Sequence, residues 1–187
     1  MQQEAFVPEP ERRLIVRRGM AAHWGCDPST QRVAIACGRR VRTHSFPQTV
    51  GLARLSDIYA GTTEFMEDLL LAWPAPGFIL VEQPSGQHVD PILWYAVGAT
   101  ITAIQDACAT LGTRVETITP SSWKKVAVGQ GNLYKPTTKK LGRRPEFLDY
   151  GVAQWAAQNG YEGHSWDEAD ALGIAEAGRR LVTLEAR

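Results

Sequence analysis

The chain alternates short apolar runs with longer segments of helical spacing. Phe78 to Glu82 reads F-I-L-V-E, four apolar residues in succession and then an acid. A run without alternation predicts a central strand covered on both faces. Upstream, strand-like segments at 20–27, 32–38 and 41–46 are separated by Pro28-Ser29-Thr30 and Gly38-Arg39-Arg40, turn chemistry that predicts an antiparallel meander. Leu52, Leu55, Tyr59, Phe65 and Leu69 recur at helical spacing, so residues 52–73 predict a helix that Pro74 ends. The segment 91–111 predicts a helix apolar almost all round, carrying the small residues Ala96, Gly98, Ala99 and Ala103. Such a helix is buried or lies at a subunit interface. A strand at 114–119, a short helix at 120–128, a loop at 129–135 and a helix over 137–159 complete the middle of the chain. Ser165 opens a last helix with a capping-box pattern, Ser165 and Glu168. Ala169, Ala171, Gly173, Ala175 and Ala177 make that helix thin enough to pack closely on a sheet. This order of elements describes an α/β domain with a mixed sheet.

A length of 187 residues suits one domain, taken here as 20–187. Residues 1–19 are polar, contain Pro8 and Pro10, and are expected to form a flexible arm. Its arginines, Arg12, Arg13, Arg17 and Arg18, are at hand for DNA, although an ordinary tail accounts for them as well. Gln105 and Asp106 interrupt the longest apolar stretch, which is too polar to span a bilayer, and the first residues lack the apolar core of a secretory signal. The expected compartment is the cytoplasm. Cys26, Cys37 and Cys108 lie in apolar segments outside any CxxC or Cys/His cluster, which predicts buried thiols and neither a metal site nor a disulfide.

Candidate chemistry lies in four acids. Asp27 and Glu82 each close a predicted strand, while Asp167 and Asp170, three apart at the start of a helix, point the same way. Gathering like charges is costly unless cations sit among them. Mg²⁺ takes oxygen ligands and keeps water, so a few carboxylates plus substrate phosphate oxygens suffice. Two such ions about 4 Å apart can activate a water and stabilise a leaving oxygen in phosphodiester hydrolysis. Singly, each acid has an ordinary explanation: a turn at Asp27-Pro28, the helix dipole for Asp167, the surface for Asp170. Glu82 is harder to dismiss, because an acid closing an apolar strand needs a partner.

The formal net charge is zero, so overall charge points to no nucleic-acid partner. Its distribution does. From Thr117 to Pro145 there is no acidic residue, while Lys124, Lys125, Lys135, Lys139, Lys140, Arg143 and Arg144 are all cationic. A block of one sign can track phosphates, and Gly129 and Gly131 let backbone approach a phosphate closely or simply make a turn.

Five pieces in this order resemble RuvC-type Holliday junction resolvases of the ribonuclease H-like superfamily: GCDPST, LSDIYAGTTEFMEDL, ILVEQP, TPSSWKKVAVGQGNLYK and DEADALGIAEAG. They span about residues 25–178. The resemblance implies a ribonuclease H-like fold, a mixed five-stranded sheet flanked by helices. It implies a Mg²⁺-dependent homodimeric endonuclease, two ions per site with Mn²⁺ as substitute, that makes paired nicks in a four-way DNA junction. Asp27, Glu82, Asp167 and Asp170 match the family's metal-binding acids. Lys124 matches a lysine near the scissile phosphate and Lys135 a second DNA-contacting lysine.

One departure stands out. Where bacterial members carry a junction-stacking aromatic after the Glu-Gln of the strand end, this chain has Pro84, Ser85 and Gly86, with His88, Trp94 and Tyr134 as candidate replacements. A phage-encoded relative with broader branched-DNA specificity fits that divergence. Rival readings are a nuclease of the same fold acting on flaps, forks or RNA–DNA hybrids, and a junction-binding module without catalysis. An actin-like nucleotide-binding fold needs glycine-rich phosphate loops that this sequence lacks.

Overall fold

A computed structural model describes residues 22–84 and 90–185. The arm at 1–19, the start of the first predicted strand, and Ser85, Gly86 and His88 lie outside them. Five strands, β1 (Ala22–Pro28), β2 (Arg32–Cys37), β3 (Arg40–Ser45), β4 (Pro76–Glu82) and β5 (Arg114–Ile118), form one sheet in the order β3-β2-β1-β4-β5. The first three are antiparallel neighbours, and β1, β4 and β5 run parallel. This is the mixed five-stranded α/β sheet expected from the sequence.

Alternation along the strands sorts side chains to two faces. Trp24, Cys26, Val33, Ile35, Ile79 and Val81 pack under α1 (Gly51–Ala72) and α2 (Pro91–Cys108). Ala34, Ala36, Phe78 and Leu80 face α3 (Pro120–Val128), α5 (Gly151–Gln158) and α6 (Trp166–Glu185). Asp27 and Glu82 continue the series of Gly25 and Leu80, so both carboxylates emerge on the α6 side.

The small residues foreseen for α6 set how near it comes. A Cβ on Gly25 would overlap the backbone of Ala171 and Ala175. At Gly173, a Cβ would lie 2.5 Å from the Trp123 ring, so the glycine seats that indole. The three cysteines are free, with Cys26 and Cys108 buried. No helix among the described residues is long and apolar enough to cross a membrane.

Two local expectations are corrected. The single helix over 137–159 is three pieces: α4 (Thr138–Leu141), a 3₁₀ turn (Phe147–Asp149) and α5. Gly142 ends α4 at φ +69°, and Pro145 disfavours helical backbone in the residue before it. The backbone N–H of Glu146 then donates to Asp149 at 2.8 Å, building the separate turn. The capping box at α6 is half formed. Ser165 Oγ accepts the Glu168 N–H at 3.4 Å, but the Glu168 carboxylate accepts from Thr43 at 3.0 Å and from the Tyr161 hydroxyl, tying α6 to β3.

Candidate active site

The ends of β1 and β4 bring Asp27 and Glu82 side by side, because Cys26 pairs with Val81 in the parallel register. The first turn of α6 crosses above them with Asp167 and Asp170. Lys135, on the loop after α3, ties three of the four acids together. Its ammonium stands 2.8 Å from Asp167, 2.9 Å from Asp170 and 3.9 Å from Asp27. All four predicted acids therefore belong to one cluster.

Burial and neighbouring charges govern the protonation of Asp27, Glu82 and Asp170. Asp27 is pushed well above the usual carboxylate range, first by burial and then by the charges of Glu82, Asp170 and Asp167, against which Lys135 acts. Glu82 is pushed up to about 6 by burial and by Asp170. Burial also raises Asp170, opposed by the Lys135 ammonium. Lys135 is raised far above an ordinary lysine despite its own burial, because Asp170, Asp27 and Asp167 hold its proton.

The acids are also oriented from behind. Trp123 Nε1 donates to Glu82 at 2.5 Å, supplying the partner that an acid on an apolar strand requires. The Tyr150 hydroxyl donates to Asp170 at 2.7 Å. Lys124 is buried and donates to the Leu133 carbonyl at 3.0 Å, its ammonium lying over the Trp123 and Tyr150 rings at 5.2 and 5.6 Å. It thus holds the loop that presents Lys135. Gly129, at φ +88°, ends α3, and a Cβ on Gly131 would come within 3.0 Å of the Ser121 carbonyl.

The rest of the basic block divides. Lys125, Lys139, Lys140 and Arg144 are exposed. Arg143 forks onto Asp149, with both contacts at 2.7 Å. Tyr134 is 77% exposed beside Lys135, and Trp94 is 46% exposed on α2. Sequence reasoning missed Arg32, whose Nε lies 2.9 Å from Asp167. It also missed Trp123 and Tyr150 as partners of the acids; a tryptophan inside PSSWKK, five residues beyond the end of β5, was the one available signal.

The chemistry of the donors suits a hard divalent cation: every candidate ligand is a carboxylate oxygen, and the acids repel one another. Among the described residues, no three acidic, histidine or cysteine side chains enclose an ion as they stand. The cation they enclose is the Lys135 ammonium. A separate cavity of about 680 Å³, walled by His23, Cys37, Trp155, Leu172 and Arg179 among others, opens at the other end of β1 and contains none of the four acids.

No protein-family model and no curated protein matches the sequence. Solved structures do match. Thermus thermophilus RuvC aligns with a TM-score of 0.57 at 19% identity, over 88% of this chain and 96% of that one. The chain has a RuvC-like fold. T. thermophilus RuvC in complex with Holliday junction substrate aligns equally well, with a TM-score of 0.57, 17% identity and the same coverage. In this RuvC-like arrangement, itself ribonuclease H-like, Asp27 and Glu82 stand at the carboxyl ends of parallel strands, a usual place for ligands in α/β sheets, and Asp167 and Asp170 join them from the first turn of α6.

Proposed function

We propose that the protein is a divalent-metal-dependent endonuclease that resolves four-way DNA junctions by paired nicks in opposite strands. The observation that carries this reading is the convergence of Asp27, Glu82, Asp167 and Asp170 in one lysine-bridged pocket on a RuvC-like fold. One of the similar structures holds a Holliday junction.

The four carboxylates would hold Mg²⁺, with Mn²⁺ as substitute and two ions per site. Held there, the metal would supply activation of a water for attack at phosphorus and would offset charge on the leaving oxygen. The chain's own residues do the rest. Trp123 fixes one oxygen of Glu82. Tyr150 does the same for Asp170. Lys124 braces the loop, and Lys135 supplies a positive charge where negative charge develops on the phosphate. Lys125, Lys139, Lys140 and Arg144 offer cations to the DNA backbone, and Gly129 and Gly131 keep the loop's backbone open to a phosphate.

Paired nicks call for two sites, hence a homodimer. Ile92, Trp94 and Tyr95 of α2 are large, apolar and exposed, with Gly98 one turn further on the same helix. We assign this face to a second copy of the chain, packed about a two-fold axis. Tyr95→Asp is expected to give a monomer by sedimentation equilibrium and to convert paired nicks into single ones. An unchanged dimer would move the interface elsewhere.

The test of the activity is incubation with end-labelled four-way junction, flap, fork and RNA–DNA hybrid, each with Mg²⁺ and with EDTA. Symmetric nicks in the junction only with Mg²⁺ are the expected result. Cleavage of flaps and forks at a similar rate would favour the broader branched-DNA reading, to which Pro84 in place of a stacking aromatic lends weight. Binding without any magnesium-dependent cutting would leave only a junction-binding module.

A further inference from the structure

We infer that Arg32 grips a phosphate of the DNA strand at the candidate site, with Asp167 as its anchor. This rests on the nuclease reading above and adds to it a substrate contact outside the lysine-rich block.

The argument begins with the backbone. Arg32 is the first residue of β2, at the end of the turn that follows Asp27. Ser29 locks that turn. Its Oγ accepts the Arg32 N–H at 3.1 Å and donates to the Arg32 carbonyl at 2.9 Å, and its own N–H donates to the same carbonyl at 2.9 Å. Arg54 donates twice to the neighbouring Thr30 carbonyl, at 3.0 and 2.8 Å. Arg32 also pairs with Ser45 of β3. Its Cα is thus held on a rigid element, as a binding residue must be.

The side chain is anchored at its near end by an ion pair and is open at its far end. Nε lies 2.9 Å from Asp167 Oδ2, and the side chain is 46% exposed. Among the described residues, its two terminal nitrogens make no hydrogen bond. A guanidinium fixed through Nε presents Nη1 and Nη2 as a planar fork, the geometry that meets two phosphate oxygens together.

Charge explains why the site needs this group. A phosphodiester approaching four carboxylates is repelled, and the Lys135 ammonium is already shared among three of them. Arg32 touches one carboxylate only. It stands at the rim of the cluster on the β2 side, on the opposite oxygen of Asp167 from the one Lys135 holds. Because the fork would read backbone and no base edge, the contact would be tolerant of sequence.

The competing account is a latch: Arg32 joins β2 to the first turn of α6 and never meets DNA. Two measurements separate them, made on the full-length protein with a four-way junction. In EDTA, where no cutting occurs, the log–log salt dependence of binding should flatten by about one in Arg32→Gln, the change expected for one lost phosphate contact. Arg32→Lys should restore that slope while leaving single-turnover cleavage in Mg²⁺ at least tenfold slow, since an ammonium keeps the charge and lacks the fork. A latch predicts a lower melting temperature in Arg32→Gln with the salt slope unaltered, and that result would overturn the inference. If the unsubstituted protein fails to bind branched DNA, the nuclease reading falls first and this inference with it. If it binds and cuts while Arg32→Gln keeps the full slope, only Arg32 is removed.

Discussion

Asp27→Asn is expected to slow cleavage at least about a thousandfold while junction binding stays intact. The asparagine matches the carboxylate in shape, so the end of β1 and its packing under α6 should survive. What disappears is one negative charge from the most strongly perturbed member of the cluster. Binding should persist because it rests on cationic groups, none of which contacts DNA through Asp27. The same substitution relieves repulsion from Glu82, Asp170 and Asp167, so the metal-free variant should melt no lower than the original chain. Cleavage, junction binding and melting temperature measured together test all three statements. Cutting at the original rate would retire the acid cluster as the seat of hydrolysis.

Lys135→Met should act in the opposite way, on stability first. The thioether fills much of the lysine's volume but leaves three carboxylates without the ammonium between them. Removing one partner of a fully buried ion pair costs about 3–5 kcal/mol. The Lys135 side chain is 39% exposed, so solvent screening reduces the expected loss to about 2 kcal/mol.

The loss should depend on pH with a defined sign. Folding raises Asp27, Glu82 and Asp170 above their ordinary values, so the folded state binds protons more tightly than the unfolded chain does. Stability from this source is fully present below the unfolded value and is lost as pH rises through the folded one. For Glu82 that window runs from 4.5 to about 6. Lys135 keeps its proton throughout, so its removal should be felt little at pH 5 and most at pH 8. Added Mg²⁺ should recover more of the melting temperature in Lys135→Met than in the unsubstituted protein. Equal losses at pH 5 and pH 8 would show that the acids do not depend on this ammonium.

How much of this was legible in the sequence follows from how local each signal was. The unbroken run from Phe78 to Val81 gave the central strand, since only a strand covered on both faces tolerates such a run. The alanine and glycine spacing of the last helix gave its close approach to the sheet, realised where Gly25 meets Ala171 and Ala175. The four acids were nameable because each sits at the end of a readable element. The region 137–159 departs from the single helix expected there because Gly142, Pro145 and the Arg143–Asp149 fork divide it. The contacts around the acids were not legible. Trp123 on Glu82, Tyr150 on Asp170 and Arg32 on Asp167 each join residues far apart in the chain, and no periodicity encodes such pairs.

The pocket draws two of its acids from β1 and β4 and the other two from α6, the last helix of the chain. Contacts so distant in sequence are slow to form. A polypeptide still emerging from the ribosome would expose its basic loop well before Asp167 and Asp170 arrive. If the nuclease reading holds, such a precursor carries its phosphate-binding cations without a complete acid cluster, so cutting is withheld until α6 has docked on the sheet.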